Sequence, residues 1–235
     1  QIIFIIIVIG LIGNLIPFFL ISWSEQFIQS NTAGLLMSVG PIFAIILAHL
    51  MTDDDKFSLQ KLFAIVVGLL GVILIFGFDN FYSLFSNNYF VFFPKIAVIL
   101  AALGYVFSSI LAYNLKRFNT IALTTFVTIS AAIFSFPFML YYEFYYRSFP
   151  SNISLIALLY LGIFPTAIAF LIRFLLIARA GPTFLSFVSY LIPGFSIIWG
   201  FIFLKETVPI NSIIGLFFIL LGIFINQKFS NVKKN

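Results

Sequence analysis

The sequence predicts an all-α integral membrane protein, and three observations carry that prediction. Only 8% of the residues are charged while 63% are apolar or aromatic, against about 25% charged in an ordinary soluble domain. So few charges cannot cover a surface that faces water. Eight stretches reach the roughly 20 mostly apolar residues that a helix needs to cross a bilayer: about 1–22, 32–51, 59–78, 91–113, 120–142, 153–176, 183–204 and 209–226. No segment alternates with period two, which argues against a membrane β-barrel.

Taken in order, each span is bounded by polar or turn-forming residues. The first runs from IIFIIIVIG to the stretch SEQFIQSN, and the second ends at TDDDKFS. DNFYSLFSNN closes the third span, NLKRFN the fourth and KETVP the seventh. The basic residues set the orientation. With the C-terminus in the cytoplasm, the inner side receives Lys56, Lys61, Lys116, Arg117, Arg173, Arg179, Lys228, Lys233 and Lys234. The outer side receives only Lys95, Arg147 and Lys205. Nine against three supports eight spans, an inward C-terminus and a basic cytoplasmic tail at 228–235. The chain opens directly into a hydrophobic run with no basic n-region or cleavage site, so the start does not read as a signal peptide. It reads as a chain cut inside or just before a membrane helix.

The stretch PIFAIILAHLMTDDDK (41–56) gathers the only histidine, His49, and three aspartates, Asp53 to Asp55. His49 and Asp53 have the i, i+4 spacing of helical metal ligands, but there is no second His and no Cys to complete a site. Glu25, Asp79, Glu143 and Glu206 all fall on the opposite membrane face, so no second acidic cluster can share a cation. The stretch reads as a solvated turn, with Ser58 capping the next helix. No metal and no cofactor are expected. The scattered basic residues are not a nucleic-acid footprint.

The chain repeats itself. Sliding it by 152 positions lays Gly10 on Gly162, Phe18 on Phe170 and Pro41 on Pro193. After one residue of slippage, GLLGVILI (68–75) matches ILLGIFIN (219–226), placing Gly71 on Gly222. Spans one to three therefore resemble spans six to eight. A displacement of five helices, an odd number, turns the second copy over in the membrane, the arrangement of inverted-repeat secondary transporters. Spans four and five have no partners in the chain. Two further helices are expected before residue 1, giving ten in two inverted five-helix repeats. On this reading 1–78 is the remainder of the first repeat and 91–227 is the second.

Three stretches carry a resemblance to a known family: LIGNLIPFFLISWSEQFIQSNTAGLLMSVGPIFAIILAHL, YLGIFPTAIAFLIRFLLIARAGPTFLSFVSYLIPGFSIIWGFIFLKE and GLFFILLGIFI. The chain resembles EamA-type carriers of the drug/metabolite transporter superfamily, along nearly its whole length. The resemblance implies two five-helix repeats around a central cavity and cytoplasmic termini. It also implies export of a small metabolite, an amino acid or related compound, across the bacterial inner membrane. The acidic residue expected after the ninth family helix is matched by Glu206, whereas its first-repeat counterpart is replaced by the TDDDK turn.

Candidate residues follow from position. Pro41 and Pro193 lie mid-span and remove a backbone bond, freeing the carbonyls of Met37 and Ser189. They read either as packing kinks or as hinges for alternating access. Arg173, about one turn from the cytoplasmic end of its span, reads either as an interfacial anchor that snorkels or as an attractor for an anionic substrate group. Substrate-binding candidates are polar, mid-span and equivalent in the two copies: Asn14 with Thr166, and Ser38 with Tyr190. Tyr105 could add an aromatic wall. The other reading of all five is hydrogen bonding between neighbouring helices. Trp23 and YYEFYYR (141–147) fit an outer aromatic belt. Gly34, Gly68, Gly71, Gly104, Gly215 and Gly222 suit close helix contact.

The leading function is a secondary carrier, with a small-molecule substrate and the lipid bilayer as its partners. Nothing in the sequence speaks to a homodimer. A membrane-embedded enzyme acting on a lipid-linked substrate is the alternative, but no paired acids or nucleophile–base set lies within a span. A third reading is a fragment inactive by itself. With no intramembrane acid to bind a proton, facilitated diffusion or exchange is expected.

Overall fold

The computed structural model describes residues 2–77, 89–146, 151–192, 195, 202 and 210–232. Pro193, Glu206 and the last three residues of the basic tail lie outside them. Eight helical segments follow one another, and the described residues contain no strand. Span one is α1 (Ile2–Gly10), a π-helical segment (Leu11–Leu15) and α2 (Ile16–Ser24). Span two is α3 (Ser30–Met37) and α4 (Gly40–Met51), span three α5 (Leu59–Phe76), span four α6 (Tyr89–Asn114) and span five α7 (Thr120–Tyr146). Span six is α8 (Asn152–Leu161), a second π-helical segment (Gly162–Ile168) and α9 (Ala169–Ala180). Span seven begins with α10 (Pro182–Ser186) and continues to Ile192, and span eight is α11 (Ile210–Val232). Six of the eight are long and apolar enough to cross a membrane, and the other two are shorter apolar helices.

Local chemistry explains the helix ends. Ser58 caps α5 by accepting from the Lys61 amide at 3.2 Å, as the sequence predicts. Asn119 and Ser151 do the same for α7 and α8. Gly77 (φ 81°) and Gly181 (φ 89°) end α5 and α9 in a region of backbone conformation that a Cβ disfavours. Span two differs from a continuous helix kinked at proline. It stops at Met37, turns through Ser38–Val39 and restarts at Gly40. Pro41 therefore sits in the first turn of α4, where its missing N–H has no helical acceptor to lose.

The most extensive packing joins α5 to α11, running antiparallel. A Cβ on Gly71 would meet the Gly215 carbonyl at 2.5 Å and the Ile219 amide at 2.8 Å. A Cβ on Gly222 would meet the Ala64 carbonyl at 2.7 Å and the Gly68 amide at 3.0 Å. Shifting the first set of residue numbers by 151, with sense reversed, reproduces the second. Each backbone thus rests on the other through a matched glycine. Gly104 makes a similar approach to the Ile12 carbonyl, while Gly34 has more room, with Phe76 at 3.4 Å. α2 and α4 both pack on α6, which places span four at the centre of the described helices.

Candidate functional site

The two π-helical segments occupy equivalent positions: Leu11–Leu15, moved by 152, falls within Gly162–Ile168. A proline breaks the α-helical ladder at each, Pro17 just after the first segment and Pro165 inside the second. Pro17 has no N–H to offer the Gly13 carbonyl, and Pro165 has none for the Leu161 carbonyl. The structure fills the two gaps differently. Gly13 O accepts from Arg173 Nη1 at 3.2 Å, across to span six, and Leu161 O accepts from Thr166 Oγ1 at 2.9 Å, within its own span.

Arg173 sits on α9, two turns before its end, with its guanidinium turned inward between spans one and four. Nη2 lies 3.0 Å from the Tyr105 carbonyl, 3.1 Å from Ser108 Oγ and 2.9 Å from Ser109 Oγ. The guanidinium carbon stands 5.2 Å from the Tyr105 ring centre and 5.3 Å from that of Phe170, within cation–π range. The interfacial-anchor reading is therefore corrected: five donors in a fixed fork outbid the water interface because four acceptors converge on them.

A cavity of about 580 Å³ opens between spans one, two, three, four and seven. Ile21 and Glu25, Gly34 and Met37, Phe76, Ala102 and Tyr105, and Leu185 and Ile192 are among its walls. It is mostly apolar, with hydroxyls at Tyr105, Ser109, Ser186 and Ser189. The size and lining are those of a small-molecule chamber. Glu25, exposed at the end of span one, marks one end; Pro182, at the start of span seven, marks the other.

Beyond Pro182 the TDDDK turn gathers three loops. Asp55 pairs with Lys61 and accepts from the Thr183 backbone N–H at 3.0 Å, capping α10. Its carboxylate lies 3.1 Å from where a Gly181 Cβ would stand. Asp54 pairs with Lys116, and the Tyr113 hydroxyl lies 3.2 Å from the same carboxylate. The bonds to Asp54 and Tyr113 raise the Lys116 pKa above the usual lysine value. A lysine so raised keeps its charge past its usual value and loses it only as pH climbs through the raised one, so the link persists through the neutral range. The reading of this turn as solvated holds for Asp53 and Asp54, which are exposed although Asp54 also pairs with Lys116. It does not hold for Asp55, which is half-buried in its contacts with Lys61 and Thr183. His49 accepts from the Phe57 N–H at 3.4 Å, and no group of three His, Asp or Glu among the described residues could hold a metal.

Of the residues singled out by sequence, Tyr105 lines the cavity. Asn14 is buried in the first π-helical segment, and Ser38 is buried with its hydroxyl on the Leu35 carbonyl at 2.5 Å. Tyr190 is fully buried, its hydroxyl donating to the Ile65 carbonyl at 3.2 Å and its ring lying over Gly68. Thr166 is exposed. None of these four is among the residues that line this cavity. Ser109, which touches both the cavity and Arg173, carried no signal in the sequence beyond being a polar residue one turn from Tyr105.

A helical protein that crosses the membrane repeatedly, with a chamber enclosed between its spans, has the architecture of a membrane transporter. The chain matches the EamA-like transporter family over residues 1–77 and 90–227, and it belongs to that family. It is 23% identical over 212 residues to the uncharacterized transporter YoaV of Bacillus subtilis, covering 88% of this chain and 70% of that protein. It is 26% identical over 218 residues to an uncharacterized transporter of Archaeoglobus fulgidus, covering 92% and 75%. A crystal structure shares the fold with a TM-score of 0.77 at 17% identity, covering 97% of this chain and 78% of that one.

Proposed function

We propose that the chain is a secondary transporter that exports a small metabolite, an amino acid or related compound, across the bacterial inner membrane by alternating access. The observation that carries this reading is the pairing of a chamber with a latch. The chamber extends from Glu25 toward Pro182, and just past Pro182 the Asp54 and Asp55 ion pairs tie spans two, three, four and seven together. With the C-terminus in the cytoplasm, as the basic residues favour, the latch lies on the inner face and the chamber faces outward. Partly exposed ion pairs of this kind contribute only about 0–1 kcal/mol each, so the latch can release within a transport cycle. The matched glycine contacts of α5 and α11, and the matched π-helical segments, support two inverted copies rocking about a shared seam.

The absence of cysteine makes the test clean. With Cys introduced at positions 54 and 116, oxidation should stop substrate exchange in liposomes, screened against a panel of amino acids and small metabolites, and reduction should restore it. Exchange that continues unchanged in the cross-linked protein would sink the alternating-access reading.

A further inference from the structure

We propose that the chamber binds its substrate by a carboxylate group, seated against Tyr105 and Ser109 and drawn there by the charge of Arg173; this rests on reading the cavity as the substrate chamber. The four acceptors around Arg173 are two backbone carbonyls and two serine hydroxyls, all neutral. They engage Nη1 and Nη2 and leave the charge of the guanidinium in place. The two ion pairs found among the described residues, Lys61–Asp55 and Lys116–Asp54, involve other cations and lie at the membrane face. A guanidinium held at depth with no carboxylate partner among the described residues is costly, and intramembrane cations commonly mark a substrate or ion path.

Two residues connect this charge to the cavity. Ser109 and Tyr105 both line the chamber, and both bond Arg173, through the Ser109 hydroxyl and the Tyr105 carbonyl. The charge therefore stands one layer behind the wall, where little water is available to screen it. The Tyr105 phenol supplies an O–H donor, and the apolar walls suit the rest of a small organic molecule. The one acid on the lining, Glu25, is exposed and roughly 18 Å along span one from Gly13 at 1.5 Å per residue. At that distance, and exposed to water at its own end, the Glu25 carboxylate does not pair with the guanidinium. The deep pole of the chamber is positive and its rim negative, which orients a carboxylate inward.

Three probes of one shape separate charge from fit: phenylacetate, phenylacetamide and phenethylamine. Equilibrium binding to the purified full chain in detergent should rank phenylacetate at least tenfold tighter than phenylacetamide, with phenethylamine weakest. Arg173→Gln should lose at least tenfold more affinity for phenylacetate than for phenylacetamide, and Arg173→Lys should keep most of the preference. Equal binding of all three probes to the parent, a preference for phenethylamine, or a preference that survives in Arg173→Gln would overturn the inference. Should Arg173→Gln fail to fold, the ranking on the parent chain decides. Binding by none of the three overturns the inference together with the reading of the cavity as the substrate chamber, whereas equal binding overturns the role of Arg173 alone.

Discussion

The seam between α5 and α11 and the two π-helical segments are both built from positions about 151 or 152 residues apart, yet they behave differently. At the seam the matched positions face each other, Gly71 onto Gly215 and Ile219, Gly222 onto Ala64 and Gly68. A larger residue on either side would strike the other's backbone, so both must stay small. The π-helical segments face different neighbours. The first is packed in the interior and its proline-freed carbonyl is taken by Arg173; the second lies along an exposed stretch and its carbonyl is taken by Thr166. Where the matched positions face each other they are held alike, and where they face other elements they diverge.

The strongest way to break the comparison is at the seam. Gly71→Leu and Gly222→Leu should each abolish monodisperse protein, because overpacking against backbone costs about 1–3 kcal/mol or more. The two losses should be similar in detergent unfolding. If one variant were tolerated, the seam would not be symmetric.

Next in size are the groups that fill the freed carbonyls. Arg173→Gln removes charged hydrogen bonds worth about 1.5–3 kcal/mol each at most, partly offset by the relief of a buried charge. Thr166→Val removes one neutral intrahelical bond, with an expected cost of about 0.6 kcal/mol. Thermal unfolding of the two variants side by side measures the contrast, and equal effects would erase the distinction between the segments.

The smallest effect sharpens the local explanation. In Pro165→Ala the restored N–H can serve the Leu161 carbonyl, so Thr166→Val should cost nothing in that background. A double-mutant cycle should show a coupling of about 0.5 kcal/mol or more between the two positions. Strictly additive losses would mean that Pro165 does not account for the Thr166 bond.

The apolar helical segments were legible because hydropathy is summed along the chain, and the Ser58 cap because a cap is local. Gly71 and Gly222 could be paired from the repeat, although which backbone each would meet could not. Arg173 illustrates the limit. A cation near a span end has two outlets, the interface and the interior, and the choice depends on acceptors 64 to 160 residues away. Tyr190 was selected for polarity at matched depth, but its hydroxyl bonds the Ile65 carbonyl, a partner that no periodicity reveals.

The sequence by itself determined the solvent of this protein, the order of its apolar helical segments, and the glycines and prolines that interrupt them. Each follows from composition within about 20 neighbouring residues, the reach of a helix across the bilayer. Only the tertiary structure decided that Asp54 and Asp55 latch separate loops, that Arg173 turns inward, and that Tyr105 and Ser109 share a wall with the cavity. Those outcomes depend on which helix faces meet, and a hydrogen bond between distant residues forms only after packing has brought donor and acceptor within about 3 Å.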